Sequence, residues 1–141
     1  MSPQPSNTHL SDNPIRIGLV GVGNWARHGH IRVLSLLPDY ELSVVYSRRR
    51  EHAERTALEC GFKHVVGSLE GLVGHAEVDL VVVLTTALQH EHAVSAAIAA
   101  NKNVYCEWPL TTATRTSEEL VELASSWRAA YRRFAETLCS A

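Results

Sequence analysis

Apolar and polar positions change their period several times along this chain, and each change marks an element. Residues 15–20 (Ile-Arg-Ile-Gly-Leu-Val) are a short, mostly apolar run that leads into the glycine cluster Gly21-Val22-Gly23. From 24 to 37 the apolar residues Trp25, Ile31, Val33, Leu34 and Leu37 recur at helical spacing, and Pro38 with Asp39 ends the pattern. Residues 42–46 (Leu-Ser-Val-Val-Tyr) read as a second strand. Residues 50–59 are rich in Glu, Ala, Arg and Leu, a helix composition, and Gly61 follows as a C-terminal cap. A short strand over 63–66 and one or two helical turns over 68–73 come next. Residues 80–84 (Leu-Val-Val-Val-Leu) are apolar throughout, as expected of a parallel strand covered by helices on both faces. An alanine-rich helix over 89–100, a fifth strand over 103–106 and a helix from Thr116 or Ser117 to Trp127 complete the series. Glu118 and Glu119 stand in the first turn of that helix, where its dipole favours acids.

Strands and helices therefore alternate, with no other internal repeat. That order predicts an α/β fold, a doubly wound parallel sheet with right-handed crossovers and helices on both faces. The closing stretch 125–141 is again helix-like, with Trp127, Tyr131, Phe134 and Leu138 on one stripe.

The glycine cluster gives this fold a chemical purpose. Gly21-Val22-Gly23-Asn24-Trp25-Ala26 matches G-x-G-x-x-A, directly after a predicted strand and at the start of a predicted helix. Gly21 permits the tight turn. Gly23 has no Cβ, so a pyrophosphate can approach the backbone. Ala26 is small enough for helix and strand to pack closely. The helix start, Asn24 and Trp25 included, offers free N–H groups and a positive dipole end to the phosphates. The bland alternative is a structural glycine turn in an α/β domain that binds no nucleotide. In context, the motif predicts a dinucleotide-binding Rossmann domain over 14–126, between a tail over 1–13 expected to be disordered and a helical tail over 127–141.

The end of the second strand reports on the ribose. An NAD site usually has an acid there for the 2′-hydroxyl, whereas this chain has Ser47 and Arg48. A serine and a forked guanidinium suit a 2′-phosphate better, so NADP is favoured over NAD. If Arg48 only stacks on adenine or points into solvent, both cofactors are used.

Bulk composition narrows the rest. The chain has 141 residues, 45% of them hydrophobic and 20% charged, enough apolar material for one core. A formal net charge of −2 gives no global attraction to nucleic acid or to an anionic membrane. Cys60, Cys106 and Cys139 are an odd, scattered set, which predicts a reducing, cytoplasmic setting rather than a disulfide framework. The N-terminus lacks the apolar stretch of a secretory signal, and no run is long enough to span a bilayer.

Three blocks together resemble the N-terminal domain of the Gfo/Idh/MocA oxidoreductases (glucose-fructose oxidoreductase, inositol dehydrogenase and MocA). They are residues 15–26, residues 81–90 (Val-Val-Val-Leu-Thr-Thr-Ala-Leu-Gln-His) and residues 104–110 (Val-Tyr-Cys-Glu-Trp-Pro-Leu). The resemblance covers roughly residues 14–124. It implies hydride transfer between a nicotinamide and a sugar or polyol carbon, with the protein binding and orienting the cofactor.

It also implies site residues. The turn after the family's fourth strand usually reads Thr-Pro-Asn, ends in a histidine, and contacts the ribose and phosphates on the nicotinamide side. Here it is Thr85-Thr86-Ala87, with His90 at the histidine position. The alternative for His90 and His92 is a pair of surface histidines. No metal site is expected, because no carboxylate or cysteine stands at ligand spacing.

The family's Glu-Lys-Pro block faces the nicotinamide. Here it is Glu107-Trp108-Pro109, and the implied X-Pro bond is cis. Trp108 replaces the lysine, and an indole has no amine to relay a proton. The same replacement resembles the yeast galactose-regulator branch, which binds the dinucleotide without turning it over. No catalytic residue is therefore assigned.

Family members continue into a last Rossmann strand and an α+β substrate domain. This chain is expected to be a truncated member, incapable of catalysis alone, or else a natural single domain whose last helix covers the sheet edge. An open edge together with the Trp127-to-Leu138 stripe predicts a homo-oligomer.

Overall fold

Among the described residues, five short strands form one parallel sheet in the order β3-β2-β1-β4-β5. They are β1 (Ile15–Val20), β2 (Tyr40–Tyr46), β3 (His64–Val65), β4 (Leu80–Val83) and β5 (Asn103–Cys106). The computed structural model describes residues 13–126. The stripe Trp127, Tyr131, Phe134 and Leu138, and all but the last residue of the expected tail, lie outside the described residues.

The α/β reading of the sequence holds. The unbroken apolar run of β4 is explained by two separate cores. Val81 and Val83 pack on one face with Leu72, Val94, Ile98 and Leu120. Val82 packs on the other with Ile17, Leu19, Ile31, Val45 and Ala53. Helices α3 (Leu69–Val73), α4 (Ala87–Ala99) and α5 (Thr114–Ser126) cover the first face, and α1 (Ile31–Leu36) and α2 (Arg50–Cys60) the second. Gly18 is what lets α3 and its neighbouring loop approach β1. A Cβ there would meet Val78 Cγ1 at 2.8 Å and Leu72 Cδ2 at 3.0 Å.

Local differences from the predicted pattern have local causes. The helix expected over 24–37 contains a π-helical turn, Ala26–His30, before α1 begins. It also stops one residue early. Leu37 is extended (φ −95°, ψ 116°), as the ring of the following Pro38 demands. Strand β2 starts at Tyr40 rather than residue 42, because Tyr40 and Glu41 pair with Ile15 and Arg16. Helix α4 starts at Ala87 rather than 89, behind the extended Thr86. Helix α5 starts at Thr114 rather than 116. Gly61 closes α2 in the left-handed region (φ 84°), and Ser68 caps α3 through Oγ, which accepts from Gly71 N at 3.0 Å.

The register fixes where a ligand can sit. Val20 pairs with both Tyr46 and Val83, and Val83 with Cys106. The carboxyl ends of β1, β2, β4 and β5 therefore finish in one row. The chain order reverses between β1 and β4, and crevices in such sheets open outside that point.

Candidate functional site: a cleft at the carboxyl ends of the strands

The glycine turn closes β1 tightly. Gly21 has φ +94°, and its N–H donates to Tyr46 O at 3.0 Å. A Cβ on Gly21 would stand 2.9 Å from Thr85 Cγ2 and 3.1 Å from the Leu84 carbonyl carbon, so backbone conformation and space both demand glycine. Gly23 differs in kind. A Cβ there meets nothing within 4 Å, so its backbone is open to an approaching group. Ala26 is fully buried beneath the turn. Asn24 and Trp25 are exposed.

Beside this turn lies a cavity of about 620 Å³. Gly21, Gly23, Ser47, Arg48, Thr85 and Thr86 all line it, together with Gly67, Ser68, Glu70, Gln89 and His92. Thr85 Oγ1 is buried and finds no hydrogen-bond partner among the described residues. A polar atom in that state suits a ligand able to complete its bonding.

The remaining expected site residues lie elsewhere. Trp25 lines a second, apolar hollow of about 380 Å³ with His30, Tyr40, Val82 and Tyr105. Glu107, Trp108 and Pro109 line a third, of about 760 Å³, past β5. Trp108 is 89% exposed, and the Trp108–Pro109 bond is cis.

His90 lines none of these three. It is 1% exposed, which overturns the surface alternative for this residue. Its Nδ1 is 2.8 Å from Pro109 O and its Nε2 is 2.9 Å from Thr85 O. The ring thus ties the turn after β4 to the turn after β5.

A second histidine makes a similar link and had no signal in the sequence. His30, in the π-helical turn, has Nε2 3.2 Å from Tyr105 Oη and 3.9 Å from Glu107 Oε1. Its ring lies edge-on to Trp25, with centroids 6.3 Å apart. The glycine-loop helix and the Glu107 turn are therefore in contact. Burial first, and the Glu107 charge second, push the Cys106 thiol up to about 12. The same two causes raise Tyr105.

Ser68, Glu70, Gln89 and Gly67 were also missed as cavity residues. Only Ser68, readable as the cap of α3, carried any local signal.

Comparison with known proteins gives a consistent picture. The profile of the Gfo/Idh/MocA family, described as an oxidoreductase family with an NAD-binding Rossmann fold, matches residues 15–132. An inositol 2-dehydrogenase from Acidothermus cellulolyticus is 32% identical over 88% of this chain and 36% of its own length. A dTDP-3,4-didehydro-2,6-dideoxy-alpha-D-glucose 3-reductase from Actinomadura kijaniata is 33% identical over 79% of this chain and 33% of its own. The chain thus spans about a third of the length of these curated relatives. Among solved structures, a 3-ketoreductase from Actinomadura kijaniata in complex with NADP and TDP-benzene superposes with TM-score 0.79 at 28% identity, covering 91% of this chain and 43% of that one. A biliverdin reductase from Synechocystis, in complex with biliverdin and NADP+, gives 0.74 at 26% identity, over 82% and 36%.

Proposed function

Because the chain belongs to the Gfo/Idh/MocA oxidoreductase family, in its NAD-binding Rossmann part, we propose that it binds NADP in preference to NAD and performs no catalysis by itself. The carrying observation is the open backbone of Gly23 beside a cavity that Ser47, Arg48 and the unpartnered Thr85 hydroxyl share. Gly21 sets the turn, and Gly23, Asn24, Trp25 and Ala26 bring the helix start to the pyrophosphate. Ser47 and Arg48 hold the 2′-phosphate of the adenosine ribose. Thr85 and Thr86 lie along the cavity wall, where backbone and hydroxyl groups serve the other ribose. His90 acts behind that wall, by fixing the carbonyls of Thr85 and Pro109. Glu107, Trp108 and Pro109 border the nicotinamide end.

When bound, the nicotinamide supplies the carbon that gives or takes a hydride; in a full-length member the other carbon belongs to a sugar or polyol. Within this chain nothing at the lysine position moves a proton, because Trp108 offers only an indole N–H. That same tryptophan favours a second reading, a regulatory protein that binds the dinucleotide without turning it over.

Fluorescence titration with NADPH and NADH tests the first claim. Saturable binding with the tighter constant for NADPH is expected; no binding of either at millimolar concentration overturns it. Incubation with NADP and a panel of polyols tests the second claim. The isolated chain is expected to produce no NADPH, and turnover by it would refute the non-catalytic reading.

A further inference from the structure

The adenosine-side cavity carries one contact that the proposal above does not use. Arg48, exposed at the end of β2, reaches Gln89 in the first turn of α4. With the amide oxygen turned toward the guanidinium, the orientation in which both sides are satisfied, Gln89 Oε1 accepts from Arg48 Nη1 at 2.8 Å and from Nη2 at 2.9 Å. The Gln89 backbone is itself anchored, its N–H donating to Thr86 O at 2.8 Å. A neutral acceptor on a fixed helix turn therefore engages the two terminal nitrogens of the guanidinium beside the cavity that both residues line. The neighbouring Arg50 is not available in the same way, because its Nε is paired with Glu54 at 2.7 Å.

We propose that Gln89 is a specificity-determining partner of Arg48: it holds the guanidinium toward the cavity and is exchanged for the 2′-phosphate of NADP. This rests on the NADP reading above. The exchange favours a phosphate because bonds from the guanidinium to a neutral acceptor are given up for bonds from the same donors to a charged one, whose paired oxygens match the guanidinium fork. The 2′-hydroxyl of NAD brings no charge and has no such advantage. The uncharged state of Gln89 is thus part of the selectivity. A carboxylate at the same place would hold Arg48 as an ion pair and repel the incoming phosphate. Glu70 and His92 also line this cavity, so the effect is to be read as a ratio between two cofactors that share every other contact.

The test is a double-mutant cycle on the full chain with Q89E, R48Q and the pair, titrated with NADPH and NADH at fixed salt, folding being checked by circular dichroism. Q89E is expected to weaken NADPH by about fivefold or more, the upper range of an exposed ion pair, and NADH by less than about twofold. In the R48Q background the loss should shrink markedly, because the competing ion pair has gone. An equal loss in both backgrounds, or no change in the NADPH/NADH ratio, overturns the role of Gln89 while the role of Arg48 stands. A wild-type chain that binds NADH as tightly as NADPH, or an R48Q chain with unchanged preference, overturns the underlying NADP reading instead. Should Q89E not fold, Q89D places the same charge on a shorter side chain and is read the same way.

Discussion

His90 Nδ1 lies 2.8 Å from the carbonyl oxygen of Pro109, so a buried ring on α4 is tied directly to the turn after β5. The other ring nitrogen reaches Thr85 O at 2.9 Å. Both partners are carbonyls, which only accept; a neutral ring donates to one of them, the imidazolium to both. Removing the ring takes that donor away, and a buried acceptor left without a donor costs about 1–3 kcal/mol. His90→Leu keeps the bulk and removes the donors. It is expected to lower unfolding free energy by about 2–3 kcal/mol in urea titration. His90→Gln, which retains an N–H donor, should lose less. Equal stability of His90→Leu and wild type would show that the two turns stand without this link.

Cys106 is half-buried on β5, with the Glu107 backbone carbonyl 3.5 Å from its sulfur. Burial, and then the Glu107 charge, raise it to about 12, against 9.0 for an ordinary thiol. Since the thiolate is the reactive form, alkylation at pH 8 should be slowed on the order of a thousandfold relative to the unfolded chain. Iodoacetamide labelling with peptide mass mapping, with and without denaturant, reads this directly. Rapid labelling of Cys106 in the folded protein would contradict it.

The features legible in the sequence were those set by the chain's own neighbours. The strand-glycine-helix unit at Gly21 could be read because turn, dipole and close packing each require a particular residue within a few positions. Apolar runs marked β1 and β4 because helices cover both faces of these strands. The ends of elements were less legible where tertiary pairing extends them, as at Tyr40, which joins β2 by pairing with Ile15. The π-helical turn over Ala26–His30 has no apolar period of its own to mark it in the sequence. Contacts across the cleft were the least legible. Nothing near Gln89 marks it as a partner of Arg48, and nothing near His30 marks it as a neighbour of Glu107. His90 could be singled out only by its resemblance to a family position, and its burial between two carbonyls came from three elements meeting.

At the opposite end of the sheet, Arg16 and Asp79 join β1 to the start of β4. Asp79 Oδ2 accepts from Arg16 N and Nε, both at 2.9 Å, and Oδ1 from Nη2 at 2.8 Å. The Arg16 hydrogen bond is the main reason the Asp79 carboxyl lies below its ordinary 3.8, with burial opposing it. A lowered folded value means that the charged form stabilises the fold. That contribution is complete above the ordinary carboxylate range and is lost as pH falls through the lowered folded value. Asp79→Asn should therefore be less stable than wild type at pH 7, and the gap should close as pH drops below about 4. Thermal melts from pH 7 to 2 measure it; a gap that widens in acid would reverse the assigned sign.

The two loop glycines make separable predictions because they are glycines for different reasons. At Gly21 the backbone is at φ +94°, and a Cβ would press to 3.1 Å on the Leu84 backbone, so Gly21→Ala strains the turn whether or not a ligand is present. A loss of about 1–3 kcal/mol in stability is expected, together with weakened dinucleotide binding. Gly23 does not share that positive φ, and no atom lies within 4 Å of the added Cβ. Gly23→Ala should fold with nearly wild-type stability. Its methyl group would instead stand where a pyrophosphate must approach the backbone, so NADPH affinity is expected to fall by at least about tenfold. Thermal melting and NADPH fluorescence titration on both variants separate the two cases. If Gly23→Ala binds NADPH as wild type does, the phosphates do not lie against this loop, and the assignment of Gly21 to Ala26 as the pyrophosphate cradle is wrong.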